Sequence, residues 1–195
     1  MLRSIIILLR YFSLLVMIMP KSAVIVVDMI HDFVDGKFGS KQAQNIVPKI
    51  KNLIDRAREK GVLVIYTRDS HEKDDPEISI WGEHAMKGTK GSEIVEDLSP
   101  TAKDIVIEKR TYDSFYKTQL EEVLKREGVE EVYITGVSTD ICVLHTAFGA
   151  FIRGFRVHIV EDCVASINKE DHEWALRYMK RVYGAKLVNS EDLFK

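Results

Sequence analysis

Short β-branched runs recur along this chain, separated by amphipathic stretches, and that alternation leaves few folds open. Ala23–Val27 reads AVIVV and Val62–Tyr66 reads VLVIY. Continuous apolar runs of this kind suit strands covered on both faces. Ile105–Ile107, Val132–Thr135, Val157–Val160 and Lys186–Val188 supply four further strand candidates. Between them, Val47–Lys60 has helical periodicity at Ile50, Leu53, Ile54 and Ala57, with Gly61 placed to end it. Thr118-Gln119-Leu120-Glu121 matches a capping box and predicts a helix to Glu127, before Gly128. Ile141–Arg153 reads as another helix, and Asn168 caps one reaching about Arg181. Strands alternating with helices predict an α/β protein: a three-layer α-β-α sandwich around a six-stranded parallel sheet.

The 195 residues suit one domain, expected over 20–195. Residues 1–19 are far more apolar and are expected to be an N-terminal extension arising from an upstream start, with Met19 as the natural first residue. Arg10 divides that run into pieces too short to span a bilayer, and no small-residue cleavage site precedes Pro20. A membrane partner is therefore not expected. Lys and Arg number 28 against 30 Asp and Glu, a net charge of −2. Such a balance creates no field for a polyanion, so no nucleic-acid partner is expected either. Two cysteines, Cys142 and Cys163, make no disulfide framework and suit a reducing, cytoplasmic setting.

In open α/β sheets, chemistry collects beyond the carboxyl ends of the strands. Cys142 follows the fourth strand in the segment Gly136-Val137-Ser138-Thr139-Asp140-Ile141-Cys142. A place in the first turn of a helix would favour its thiolate through unpaired N–H groups and the helix dipole. The same N–H groups suit an oxyanion. Asp28 stands just after the first strand and Lys109 just past the third, on the same sheet edge. A carboxylate can take the thiol proton and an ammonium can hold both anions. Cys163, beside Val164 and Ala165, reads as a packing residue.

The long stretch Arg68–Gly91 holds a second constellation. Asp69-Ser70-His71 follows the second strand, with Glu77 and His84 further on. Imidazoles and carboxylates in one loop suit Zn²⁺, with Fe²⁺ or Mn²⁺ also accommodated. His31, His145, His158 and His172 read as structural or surface residues. No G-x-G-x-x-G follows the first strand, which disfavours a nucleotide-binding Rossmann domain.

Together these residues resemble the isochorismatase-like cysteine hydrolases. The resemblance runs from Ala23 to Val188. Asp28, Lys109 and Cys142 match the family's Asp-Lys-Cys triad, and Thr139-Asp140-Ile141-Cys142-Val143 with Thr146-Ala147 is the most specific stretch. Asp32-Phe33, Gly88-Thr89, Gly91, Lys109-Arg110, Tyr112 and Phe115 add to it. The order Asp69, His71, Glu77, His84 resembles the metal ligands of the nicotinamidase branch, although Glu72 stands where many of its members have proline.

The resemblance implies hydrolysis of nicotinamide to nicotinic acid and ammonia through a cysteine thioester, in NAD salvage, by a homo-oligomer. It also implies oxyanion binding by the backbone N–H groups of Ser138 and Cys142, a cis peptide at Val137–Ser138, and substrate contacts from Phe33, Trp81 and Tyr112. The alternative within the family is a metal-free hydrolase of the N-carbamoylsarcosine, ureidoacrylate or isochorismatase type. The alternative outside it is a non-catalytic flavodoxin-like binding protein.

Overall fold

The computed structural model describes residues 21–195; the proposed extension, residues 1–19, lies outside them. In chain order the elements are β1 (Lys21–Val27), α1 (His31–Val34), α2 (Lys41–Glu59), β2 (Leu63–Asp69), α3 (Pro76–Trp81), β3 (Ile105–Lys109), α4 (Leu120–Arg126), β4 (Val129–Val137), α5 (Leu144–Ile152), β5 (Arg156–Ala165), α6 (Lys169–Val182) and β6 (Lys186–Val188). Six strands form one sheet in the order β3-β2-β1-β4-β5-β6. Every pair is parallel.

The β-branched runs form the centre of the sheet because both its faces are covered. Successive residues of β1 point to opposite sides. Val24 and Val26 join Ile46, Ile50, Leu53 and Ile54 of α2 in one core. Ala23, Ile25 and Val27 join Leu120, Leu124, Ala147, Ala150, Ala175 and Met179 of α4, α5 and α6 in the other. Helices thus lie on both faces, giving the expected three-layer sandwich. Leu53 is fully buried, and truncating such a leucine to alanine costs about 2–5 kcal/mol.

Three local expectations change. Helix α2 begins at Lys41, not near Val47: Ser40 caps it by accepting the Ala43 N–H at 3.1 Å. Pro48 sits inside this helix on its exposed side, as does Gln44, so the carbonyl left without a donor meets water. The capping box does not form. Helix α4 starts at Leu120, the Thr118 hydroxyl donates to the Ser114 carbonyl at 2.5 Å, and Glu121 pairs with Arg153 at 2.7 Å. The long stretch after β2 is partly ordered by α3 and by two short 3₁₀ turns at Lys90–Ser92 and Glu96–Leu98.

The strand order reverses at β1, whose neighbours β2 and β4 lead the chain to opposite sides. A crevice opens at the carboxyl tips of β1 and β4, where ligands bind in open α/β sheets. Gly136 lets the two tips close together: its φ is +104°, and a Cβ there would strike the Val27 carbonyl.

Candidate active site

The ends of four neighbouring strands deliver four polar residues to one place. Asp28 follows β1 directly, Asp69 ends β2, Lys109 ends β3 and Ser138 follows β4. The Lys109 ammonium is fully buried. It lies 2.7 Å from Asp28 Oδ2, donates to Asp69 Oδ1 at 2.6 Å and to the Thr111 carbonyl at 3.0 Å, and sits 3.8 Å from Cys142 Sγ. Its hydrogen bonds go to Asp69 Oδ1, the Thr111 carbonyl and the Cys142 sulfur, while Asp28 Oδ2 is held as an ion-pair partner. Asp28 Oδ1 accepts the Asp69 backbone N–H at 2.9 Å. One atom each of Asp28, Asp69 and Cys142 lie within 4.8 Å of one another. The structure therefore brings together the three residues of the expected triad.

Cys142 does not sit in the first turn of an α-helix. It belongs to a π-turn, Thr139–Val143, that leads into α5. Nor does the dipole argument decide its protonation. Burial pushes the thiol well above its ordinary value, and Lys109 offsets this only in part. That direction favours the neutral thiol at rest. Burial, and then the neighbouring Asp69 charge, push Asp28 up to about 7 against the pull of Lys109. A carboxylate poised near neutrality both accepts and returns a proton efficiently. Burial also works against Asp69, but Lys109 and His71 hold it below the usual carboxylate range.

Asp69 links this group to a second one. Its other oxygen, Oδ2, lies 3.6 Å from His71 Nε2, which is 3.6 Å from Glu77 Oε2. Asp69, His71, Glu77 and His84 are all buried, with one ligand atom of each within 4.8 Å of the others. Asp69 Oδ2, His71 Nε2 and Glu77 Oε1 have no hydrogen-bond partner. Glu77 is raised, first by burial and then by Asp69. Burial lowers His84, which favours its neutral imidazole. Buried lone pairs without donors are costly, and a divalent cation satisfies all of them at once. The donor set of two imidazoles and two carboxylates fits such an ion.

A cavity of about 230 Å³ lies between the two groups. Phe33, Trp81 and Tyr112, the expected substrate contacts, line it, and so do Ser138 and Cys142, whose backbone N–H groups were expected to bind an oxyanion. The Val137–Ser138 peptide is cis. The Trp81 indole N–H donates to Tyr112 Oη at 2.8 Å, tying two walls together.

Sequence reasoning missed several residues here. Phe38 lines the cavity, 6.2 Å from the Phe33 ring and 5.4 Å from that of His84. His172, read as a structural or surface residue, shares a 2.9 Å hydrogen bond with Thr139 of the π-turn. Asp140 accepts the Ser166 hydroxyl at 2.5 Å, and both line the cavity with Asp171. Cys163 is fully buried in the α2-facing core, as a packing residue should be.

The isochorismatase domain pattern matches residues 22–192. Nicotinamidase 3 of Arabidopsis thaliana is 37% identical over 179 residues, covering 88% of this chain and 86% of that protein. Among solved structures, N-carbamoylsarcosine amidase from Thermoplasma acidophilum is 41% identical with a TM-score of 0.83, covering 88% of this chain and 97% of that one. Pyrazinamidase of Pyrococcus horikoshii, in complex with zinc, is 35% identical with a TM-score of 0.82, covering 87% and 99%. The chain belongs to the isochorismatase domain family. Among the described residues, no helix is long and apolar enough to cross a membrane.

Proposed function

We propose that this protein is a nicotinamidase, converting nicotinamide to nicotinic acid and ammonia through a thioester on Cys142. As a member of its family it is a hydrolase of C–N bonds in small amides. The finer reading is carried by one observation: a cavity of about 230 Å³ is lined both by Cys142 of the Asp28-Lys109-Cys142 group and by Asp69, Glu77 and His84 of the Asp69-His71-Glu77-His84 cluster. That volume lies below the roughly 300–1,000 Å³ of pockets for drug-sized ligands and suits a single flat heterocycle. Phe33, Phe38, Trp81 and Tyr112 offer aromatic surface to such a ring.

The roles follow from the chemistry. Asp28 takes the Cys142 proton as sulfur attacks the amide carbon. The Ser138 and Cys142 N–H groups hold the resulting oxyanion. Asp28 then returns its proton to the departing nitrogen, the C–N bond breaks, ammonia leaves and a thioester remains. A water gives its proton to Asp28 while its oxygen attacks the thioester carbon. The C–S bond breaks, and Asp28 hands the proton back to sulfur. Lys109 stays charged and steadies the negative charge as it passes between Asp28 and the sulfur. A divalent metal, zinc in the first instance and iron or manganese as alternatives, would be held by Asp69, His71, Glu77 and His84. It would supply a Lewis-acidic anchor for the pyridine nitrogen.

The 41% identity to an N-carbamoylsarcosine amidase favours a second reading within the family. N-carbamoylsarcosine, ureidoacrylate and isochorismate all carry carboxylates. Among the described residues the cavity lining contains Asp69, Glu77, Asp140 and Asp171 and no lysine or arginine. An uncharged substrate such as nicotinamide fits that lining better. A cytoplasmic homo-oligomer in NAD salvage completes the proposal. An ammonia-release panel tests it: nicotinamide and pyrazinamide against N-carbamoylsarcosine and ureidoacrylate, each with and without chelator. Chelator-sensitive turnover of nicotinamide supports the reading. Preference for a carboxylate-bearing amide, unaffected by chelator, refutes it.

A further inference from the structure

We propose that Asp75 and Arg110 are positioning residues for the metal group, fixing the tautomer and aim of His71. The inference rests on reading the four-residue cluster as a metal site, and deepens it.

Asp75 occupies the cap position before α3, where an aspartate normally accepts N–H groups of its own helix. Here its side chain makes no such bond. It turns instead toward His71. Asp75 Oδ2 accepts from His71 Nδ1 at 3.0 Å and from the Glu72 N–H at 2.9 Å. The other oxygen, Oδ1, faces Arg110, with Nε at 2.8 Å and a terminal nitrogen at 2.5 Å. The Asp75 side chain is 6% exposed and His71 is fully buried, so these bonds are shielded from water.

The donor count makes the group selective for a carboxylate. The His71, Glu72 and Arg110 groups against Asp75 are all N–H donors, and only an ionised carboxyl offers acceptors on both oxygens. With Nδ1–H donating to Asp75, a neutral His71 ring presents its lone pair on Nε2, the atom that faces Asp69 and Glu77 without a hydrogen-bond partner. Metal-bound histidines use such a partner to fix the ring and raise its basicity. Arg110 follows Lys109 directly, and successive residues at a strand end point to opposite sides. Strand β3 thus sends one cation inward to Asp28 and the next outward to Asp75. Arg110 also reaches Glu72 at 3.2 Å and Asp74 at 3.0 Å. Asp74 is 83% exposed, and exposed pairs of this kind contribute little.

The substitution Asp75→Asn places an amide NH₂ against either Arg110 or His71. In the second case Nδ1 must accept, and the imidazole proton moves to Nε2, covering the lone pair. The test is the zinc affinity of the full-length chain, read by competition with a chromophoric chelator, together with thermal melting of the metal-free protein. Asp75→Asn should weaken zinc binding roughly 10- to 100-fold. Arg110→Ala should weaken it several-fold, and Asp74→Asn should leave it unchanged. Equal affinity in wild type and Asp75→Asn overturns the proposal, including the case where only the melting temperature falls. If Asp75→Asn does not fold, Arg110→Ala decides, and an unchanged affinity there overturns it. A wild-type chain that binds no zinc overturns the metal site itself, and this relay with it.

Discussion

Two ionic clusters sit against opposite faces of the same strand pair, and they are built on different plans. Arg58 of α2 meets Asp104 just before β3, with Nε to Oδ1 at 3.3 Å and a terminal nitrogen to Oδ2 at 2.6 Å. The same guanidinium reaches Asp55 at 3.1 Å and the Tyr66 hydroxyl at 3.1 Å. Asp104 also accepts the Thr101 N–H and hydroxyl. Donors and acceptors close on one another. Around Lys109 they do not: one ammonium serves two carboxylates, and the adjoining cluster leaves Asp69 Oδ2, His71 Nε2 and Glu77 Oε1 without partners. A closed cluster returns its desolvation cost as stability. An open one holds polar atoms ready for a group that is not part of the chain, and buried groups displaced from their ordinary pKa mark such sites.

The sharpest way to break this contrast is to remove the sulfur. Cys142→Ala should lower kcat on the order of 10⁴-fold or more, with melting little changed. The other cysteine is the control. Cys163→Ala should keep turnover within about threefold while costing about 1 kcal/mol in packing. Comparable activity loss in both would show that neither cysteine is a nucleophile. The next largest effect lies at the cation. Lys109→Met leaves Asp28 and Asp69 facing each other with no counter-charge, and should cost about 3–5 kcal/mol as well as activity. Adding Asp28→Asn should restore most of the stability and none of the turnover. Chemical denaturation of the single and double variants, alongside kcat, separates the two roles.

The open cluster was the more legible of the two in the sequence. A parallel α/β sheet fixes where strand ends go, so Asp28, Asp69 and Lys109 could be placed on one edge from apolar runs alone. Glu77 and His84 were legible as residue types in one loop, though nothing local told that α3 would bury Glu77. The Asp75–Arg110 contact was invisible for the same reason: it joins a helix cap to a strand end far away in the chain. The π-turn left no periodic signal, since Thr139–Val143 reads equally well as the start of a helix. Thr118–Glu121 shows the opposite failure. The capping pattern was present, but Arg153 and Lys125 claimed Glu121, and a tertiary contact overrode a local one.

Metal removal comes next in size. Exhaustive chelation, or His71→Ala, should raise KM for nicotinamide at least about tenfold while leaving the thiol reactive toward a small alkylating agent. It should also lower the melting temperature, because an ion that binds only the folded chain stabilises it by mass action. Metal content by elemental analysis and KM measured on the same sample check this. A stripped protein with unchanged KM would mean that the unpartnered atoms serve something other than substrate binding.

The smallest effect tests the closed cluster. Asp104→Asn keeps one acceptor for Arg58 but removes the charge, and should cost about 1–3 kcal/mol. That corresponds to a fall of roughly 2–4 °C in Tm per kcal/mol for a chain of this size. Turnover should stay within about twofold, because Asp104 is absent from the cavity lining. The pH dependence has a definite sign. Burial would raise the Asp104 carboxyl, but the Arg58 hydrogen bond and the Thr101 contacts hold it below the usual range. A group depressed in the folded state contributes its full stability above the unfolded value of about 3.9, and loses it as pH falls through the folded value. The gap between wild type and Asp104→Asn should therefore be constant from neutrality to about pH 5 and narrow in stronger acid. A gap that widens on acidification would place the charge of Asp104 among the costs of this fold.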